Sequence, residues 1–280
     1  MKKEYLKELR TYLEENNVEN VDNIMDKYER RYEFGLESQL SEEEIEKMLG
    51  SKEDILEKYK TIEPSKEEFT EEVLNYKKGY NLVMNTTSDD VVIEYYNEDK
   101  IKVLCEDINT DAYNIKIDNE NGVLVDYAKI NFFGSKRAKG GRIIVRIPQG
   151  KVFDKIKIST TSGDILTKGF ESNTCTLNTA SGDYEIGSII SNQLSINTVS
   201  GDYEIDRIKT KKTTISSVSG DFDIFLLDSN VAVIDTVSGD VKIKKADVDE
   251  LKANSISGDI KINNEEYKNF GKKVKGVFKK

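Results

Sequence analysis

The sequence predicts a mainly β protein: a single-stranded β-solenoid of 19-residue coils, preceded by a small α-helical bundle. Two observations favour the solenoid. A Ser-Gly-Asp triad recurs six times at one spacing, and apolar residues alternate with polar ones around the copies. A third observation favours the bundle, since the N-terminal segment carries its apolar side chains at helical spacing. We therefore expect a helical signalling or interaction domain over 1–60, a helical linker or solenoid cap over 61–79, the solenoid over 80–262 and a basic amphipathic C-terminal cap or tail over 263–280.

The repeat has a constant period of 19 residues. Its triad glycines are Gly163, Gly182, Gly201, Gly220, Gly239 and Gly258. After each triad the chain alternates, as in Tyr203, Glu204 and Ile205, which is typical of a strand with one buried face. Cys175 lies in a second alternating segment, and Phe170 belongs to a column that predicts a third, short face. A fixed short period indicates stacked coils in which like residues lie above like residues, at roughly the 4.8 Å spacing of β-strands.

The triads are predicted to be structural turns. Glycine supplies positive φ at a corner, and Ser and Asp side chains bond the backbone N–H groups that a corner leaves unpaired. An alternative is a calcium-binding ladder formed by the triad carboxylates, although calcium-binding β-roll repeats use more glycines per turn. That ladder would consist of Asp164, Asp183, Asp202, Asp221, Asp240 and Asp259. A sugar-binding or peptide-binding face is a further alternative.

The first 60 residues predict about four short helices. Leu6, Leu9 and Leu13 lie at helical spacing, and a Ser41–Glu44 capping box begins a helix that Gly50 ends. The segment that follows, PSKEEFTEEVLNYKKGY, is predicted to add a further helix that links the bundle to the solenoid or caps it.

The segments on either side of the repeat are less regular. Residues 80–158 form strand-like runs separated by turn-rich pieces, which predicts less regular coils of the same solenoid. Residues 265–280 carry six lysines against two glutamates, with apolar residues that would share one face of a helix. This pattern predicts either a cap on the open end of the solenoid or a contact with an anionic membrane or a partner. The contact residues would be Phe270, Lys272, Lys273, Val274, Lys275, Val277, Phe278, Lys279 and Lys280.

Composition excludes several classes of function. The chain has no histidine, which excludes Ser-His-Asp and Cys-His catalysis and His-rich zinc sites. Its net charge of −10 disfavours nucleic-acid binding. Cys105 and Cys175 fit neither a zinc spacing nor a disulfide framework, so both are expected to be reduced thiols. We therefore predict no catalytic residues, no cofactor and no nucleic-acid partner.

Two segments of the sequence resemble known families. The run RIIVRIPQGKVFDKIKISTTSGDI, followed by the repeated triads, resembles the bacterial β-strand-repeat family labelled putative adhesins, over about 80–262. The segment around YLKELRTYLEENN resembles the α-helical HAAS signalling domain that often accompanies PadR-type regulators, over about 1–60. The combination resembles LiaX-like proteins of Gram-positive cell-envelope stress responses.

These resemblances imply a non-enzymatic scaffold or regulator of the envelope stress response. The helical domain would bind a protein partner, such as a PadR-type regulator or an envelope-stress component, and the solenoid would present an extended binding surface. The alternatives are a surface adhesin or envelope-ligand-binding module, and a carbohydrate-active enzyme. Because no secretory signal or apolar span is evident, the protein is expected in the cytoplasm or peripherally on the membrane. The alternative is the cell surface, reached by a route without a recognisable signal peptide.

Overall fold

A computed structural model describes residues 2–16, 18, 21–59, 69–108, 112–127, 141–263, 265–266 and 274–275. The chain divides into two compact units, a helical unit within residues 1–66 and a β unit within residues 67–280. The fold class is therefore the predicted one: a mainly β protein with a β-solenoid and a small N-terminal helical region.

Four helices form the helical unit. Their buried faces contain Leu9, Leu13 and Ile45, at the spacing the sequence indicates. The predicted capping box is present at Ser41, whose side chain accepts the Glu44 N–H while the Glu44 carboxylate accepts the Ser41 N–H. The helices are α1 (Lys2–Glu15), α2 (Val21–Glu37), α3 (Glu42–Leu49) and α4 (Lys52–Tyr59).

The β unit is one continuous set of paired strands. The first nine are β1 (Phe69–Asn75), β2 (Asn81–Asn85), β3 (Asp90–Tyr96), β4 (Lys100–Glu106), β5 (Tyr113–Asp118), β6 (Gly122–Tyr127), β7 (Arg142–Pro148), β8 (Val152–Thr160) and β9 (Ile165–Thr167). The repeat supplies β10 (Phe170–Thr179), β11 (Tyr184–Thr198), β12 (Tyr203–Ser217), β13 (Phe222–Thr236), β14 (Val241–Ser255) and β15 (Ile260–Ile262). Two short strands, β16 (Glu265–Glu266) and β17 (Val274–Lys275), complete the described chain.

Each repeat is one coil with three sides. Strands β11 to β14 pair in parallel with a register shift of 19, so that Ile186 lies beside Ile205 and Ile196 beside Ile215. The β11–β12 ladder skips Gly187, which separates the first side from the second. It skips Asn192 too, and this separates the second side from the third; the Ser-Gly-Asp triad then forms the last corner.

The core of the coils is a set of stacked columns. Tyr184, Tyr203 and Phe222 lie directly above one another, with ring centroids 4.6 and 4.5 Å apart. Cys175 is buried in the inward column that the sequence predicts, and Phe170 is buried on the predicted third face. Burying one large apolar side chain stabilises a fold by about 1.5–3 kcal/mol, and here each neighbouring coil supplies the burial.

The N-terminal strands do not simply continue the solenoid in chain order, as the sequence suggested. Strands β2 and β3 form a coil that pairs in parallel with β8 and β9 on one side and with β6 and β7 on the other. Strand β5 is antiparallel to β6, β4 is antiparallel to β7, and β1 is antiparallel to β4. A coil from early in the sequence is thus inserted between later ones, and antiparallel strands close this end of the stack.

Two predicted helical segments are strands where the structure describes them. The predicted helix over 61–79 is wrong for Phe69–Asn75, which pairs along its length with β4; residues 60–68 lie outside the described part. The reason is that β4 would otherwise leave an unpaired edge, which this segment covers by pairing with it. The predicted amphipathic helix at the C-terminus is wrong for Val274–Lys275, which pairs antiparallel with Glu250 and Leu251 of β14.

Candidate binding surface

At three of the six Ser-Gly-Asp corners, a hydroxyl group near the start of the turn accepts the glycine N–H. Three residues before the glycine, Thr179 accepts the Gly182 N–H through its Oγ1 at 2.9 Å. Thr160 does the same for Gly163. The side chain thus satisfies a backbone donor that the turn would otherwise leave unpaired.

The triad aspartates form a continuous hydrogen-bonded ladder. The Oδ1 atom of each of the first five triad aspartates accepts the backbone N–H of the aspartate in the next coil, as Asp164 does for Asp183 at 2.8 Å. The same bond recurs along the whole stack at 2.7–3.2 Å. The backbone carbonyl of the same residue accepts an N–H from the preceding coil, as Asp183 does for Ile165 at 2.9 Å. Each of these five aspartates therefore ties its coil to both neighbours.

The triad glycines are required by close packing rather than by positive φ. Only Gly201 has φ in the left-handed region, at +122°, so the predicted reason is wrong for the other five. A Cβ atom on Gly239 would instead overlap the carbonyl oxygen of Gly220 in the preceding coil. Gly258 meets Gly239 in the same way, and Gly163 meets Asp89. At the six triad corners, only glycine lets successive coils approach this closely.

Sequence reasoning missed a seventh corner at TTSDD, residues 86–90. This segment parallels TTSGD at 160–164, with Asp89 in the glycine position and Asp90 in the aspartate position. The Asp90 Oδ1 accepts the Asp164 N–H at 2.9 Å, which extends the ladder by one coil. The Asp89 carboxylate accepts the Gly141 N–H at 2.9 Å and the Tyr113 hydroxyl hydrogen, so this side chain ties the coil to later strands. The shared Thr-Thr-Ser-x-Asp pattern was the available signal, but its spacing is not 19.

The structure does not bring the triad carboxylates together as a calcium site would require. They lie one above another, and each oxygen engaged in the ladder already accepts a backbone N–H. Over the residues that the structure describes, no three acidic or thiol side chains are grouped closely enough to hold a metal ion.

On three coils, the third side carries a largely uncharged outward surface, which we call the polar face; the same columns carry Lys155 and Lys157 on β8 and Glu250 and Lys252 on β14. Its members on three successive coils pair in register across β10, β11 and β12. They are Thr174, Thr176, Asn178, Gln193, Ser195, Asn197, Lys212, Thr214 and Ser216. All are exposed or half-buried, and all except Lys212 are uncharged. The outward column of the first side contrasts with it, because it is occupied by Glu185, Glu204 and Asp223.

An exposed aliphatic row borders the polar face. It consists of Ala180, Val199, Val218, Val237 and Ile256, the residues just before the last five of the six Ser-Gly-Asp triads. Parallel backbone hydrogen bonds continue into this position, as from Ser219 N–H to Val199 O at 2.8 Å, so the row is the next outward column of the same sheet. The four large side chains are 55%, 49%, 43% and 81% exposed along the row. They account for four of the nine large apolar side chains that are exposed in the described residues, which marks the row as a distinct surface.

The other predicted residues lie apart from this surface. Burial raises the pKa of the Cys105 thiol to about 11, and it also raises the pKa of Cys175. Of the predicted tail contacts, Val274 and Lys275 lie in β17, and the other seven fall outside the described residues. No described helix combines the length and the apolar character that a membrane span needs.

Comparison with known proteins identifies the family. Residues 80–276 match the family model described as Toastrack DUF4097. A search of curated proteins found no match. One similar solved structure is a putative cell adhesion protein from Clostridium sporogenes, with 11% identity and a TM-score of 0.42 over 65% of this chain and 100% of that one. A second is a putative adhesin from Bacteroides fragilis, with 14% identity and a TM-score of 0.41 over 72% of this chain and 99% of that one. A third is a putative lipid binding protein from Parabacteroides distasonis, with 16% identity and a TM-score of 0.36 over 69% of this chain and 96% of that one. Because the family model spans most of the sequence, this chain belongs to the Toastrack DUF4097 family.

Proposed function

We propose that this protein is a non-enzymatic binding module of the cell envelope, whose solenoid presents an extended surface to an envelope ligand. The observation that carries the proposal is the aspartate ladder. Glycoside hydrolysis needs two carboxylates whose environments differ, one as acid and one as base or nucleophile. Here each of the carboxylates Asp164, Asp183, Asp202, Asp221 and Asp240 accepts the backbone N–H of the next coil, so all five share one structural role.

The same ladder supports a binding role. It fixes the coils at one register, so that outward side chains form straight columns along the solenoid. A ligand with a repeating structure can contact such columns many times, and weak contacts that recur add up to useful affinity. Preorganisation also removes part of the entropic cost of binding.

The test is co-sedimentation of the full chain with purified cell-wall fragments and, separately, with membrane vesicles. We expect saturable sedimentation with the wall fragments that excess unlabelled protein displaces, and no release of soluble sugars. Protein that stays in the supernatant with both materials would contradict the proposal. Release of soluble sugars in proportion to protein would instead support an enzyme.

A second candidate function is a scaffold of the envelope stress response that binds a protein partner through residues 1–60. It is favoured by the separate compact helical unit, in which Leu36 of α2 is exposed to solvent. Protease treatment of intact cells distinguishes the two, because a surface module is degraded and an intracellular scaffold is protected. A peripheral contact of the tail with an anionic membrane belongs to the second candidate, and a deletion of residues 267–280 would release the protein from the membrane fraction.

A further inference from the structure

We propose that the polar face and the aliphatic row together bind an uncharged glycan chain that lies along the solenoid axis. This inference rests on the proposed binding function and adds the chemical class of the ligand and its location. Two independent features of the surface point to this ligand: the scarcity of charge on the polar face, where Lys212 is the one charged member, and the exposed apolar border beside it.

The polar face offers both hydrogen-bond donors and hydrogen-bond acceptors, nearly all of them on uncharged side chains. Ser and Thr hydroxyls donate and accept, as do Asn and Gln amides, which matches a ligand rich in hydroxyl and amide groups. Charged residues make up 34% of the chain, yet eight of the nine members of this face are neutral. A charged polymer would be matched by opposite charge, so this composition favours a neutral ligand.

The geometry of the face suits an extended chain. Neighbouring coils repeat its columns at roughly 4.8 Å, and outward residues along a strand are roughly 6.8 Å apart, so the nine members cover a flat rectangle. Hydrogen bonds between coils hold the Asn column in place, as from Asn197 Nδ2 to Asn178 Oδ1 at 2.9 Å. The remaining oxygens and amide hydrogens are therefore presented in a regular array.

The aliphatic row supplies the apolar contacts that a sugar chain needs in addition to hydrogen bonds. A sugar ring has polar hydroxyls at its rim and apolar C–H groups on its faces, so it needs a surface that offers both kinds of contact. Val199 and Val218 lie beside Asn197 and Ser216 at the border of the polar face. A chain bound along this border would cover apolar surface that is otherwise in contact with water.

The experiment titrates the full chain with two neutral oligosaccharides, a hexamer of N-acetylglucosamine and a hexamer of glucose, by isothermal titration calorimetry. We expect saturable binding of at least one of them. Thr176→Val/Thr214→Val removes two hydroxyls at constant shape, and Val199→Thr/Val218→Thr removes apolar contact at constant shape. Each double variant should weaken binding about tenfold, the result of losing roughly one or two good contacts.

A matched control on the second side is Lys209→Ala/Asp228→Ala, two exposed residues that pair in β12 and β13 and lie off the polar face. It should bind as the unaltered chain does. Thermal unfolding is measured for every variant, and if one double variant fails to fold the other decides the question. Two results of the titrations would overturn the inference: no binding of either oligosaccharide at about 1 mM, or binding that neither double variant weakens. Self-association that the same variants abolish would also overturn it, since a second copy would then occupy the face. Wall binding that persists without oligosaccharide binding would leave the proposed function standing and reject this ligand and location.

Discussion

Replacing Gly239 with alanine tests whether the triad glycines are needed because the coils pack closely. Gly239 does not have φ in the left-handed region, so a purely conformational argument predicts that alanine stabilises the fold by about 0.4–1 kcal/mol through the unfolded chain. The packing predicts the opposite sign. The new Cβ would overlap the carbonyl oxygen of Gly220 and lie 2.9 Å from the nitrogen and carbon of that residue.

The magnitude follows from the hydrogen bonds that cross this gap. Ordinary contact begins at 3.4 Å, so the two coils would have to separate by about 1 Å at the corner to relieve the overlap with the Gly220 oxygen. The bonds nearest to Gly239 run from Ser238 N–H to Val218 O at 2.9 Å and from Asp240 N–H to Asp221 Oδ1 at 2.8 Å. Weakening both, at about 1–2 kcal/mol each, predicts a loss of about 3 kcal/mol in the free energy of unfolding.

The assay is urea unfolding followed by the circular dichroism of the strands. The dependence of the free energy of unfolding on urea concentration is compared between the proteins. Gly79→Ala is the control, because Gly79 has φ of +94° and nothing within 4 Å of an added Cβ. Its backbone strain alone should cost about 1–2 kcal/mol. The reasoning is refuted if Gly239→Ala is as stable as the unaltered chain or more stable, since the conformational argument would then suffice.

Three further predictions concern buried or half-buried polar groups. The Tyr184 hydroxyl is buried without a hydrogen-bond partner among the described residues, so Tyr184→Phe should raise the free energy of unfolding in urea by about 1 kcal/mol; a loss would show that the hydroxyl is paired. Because burial raises the pKa of Cys105 and Cys175, neither thiol should react with a disulfide reagent at about pH 8 until urea unfolds the chain, and rapid labelling of the native protein would contradict this. Desolvation raises the pKa of Asp90 above its ordinary 3.8, so the stability linked to its protonation is present below that pH and is lost as pH rises through the folded pKa. Asp90→Asn keeps an oxygen acceptor for the Asp164 N–H and should lose less stability between about pH 4 and pH 7 in urea unfolding; an unchanged pH dependence would count against the desolvation argument.

The repeat was predictable because a parallel ladder with a shift of 19 pairs each residue with its equivalent. The identity of each column therefore shows directly in the sequence, and Ile186 and Ile205 occupy neighbouring places both in the pattern and in space. The residues of the outward columns can be identified from the sequence in the same way. The neutral surface that they form could not, since it is evident only when three coils are placed side by side.

The errors arose where pairing partners are distant in sequence. Phe69–Asn75 has a pattern compatible with a helix or a strand, and the edge of β4 decides between them. Val274 was assigned to a helical stripe, yet the open edge of β14 supplies a strand partner. The reason for the triad glycines was also misassigned, because a positive φ is a local property whereas the approach of Gly220 to Gly239 involves two coils.

The position of the β2–β3 coil has a consequence for how the protein folds. Asn81 pairs with Gly122 and also with Lys155, so this coil is not complete until more than seventy further residues have been synthesised. Such distant contacts are slow to form, because the chain between them must be ordered first. Once β8 and β9 have closed on the early coil, each later repeat needs only the one before it. We therefore expect a slow nucleation step that involves residues 81–167, followed by rapid addition of the repeats one at a time toward the C-terminus.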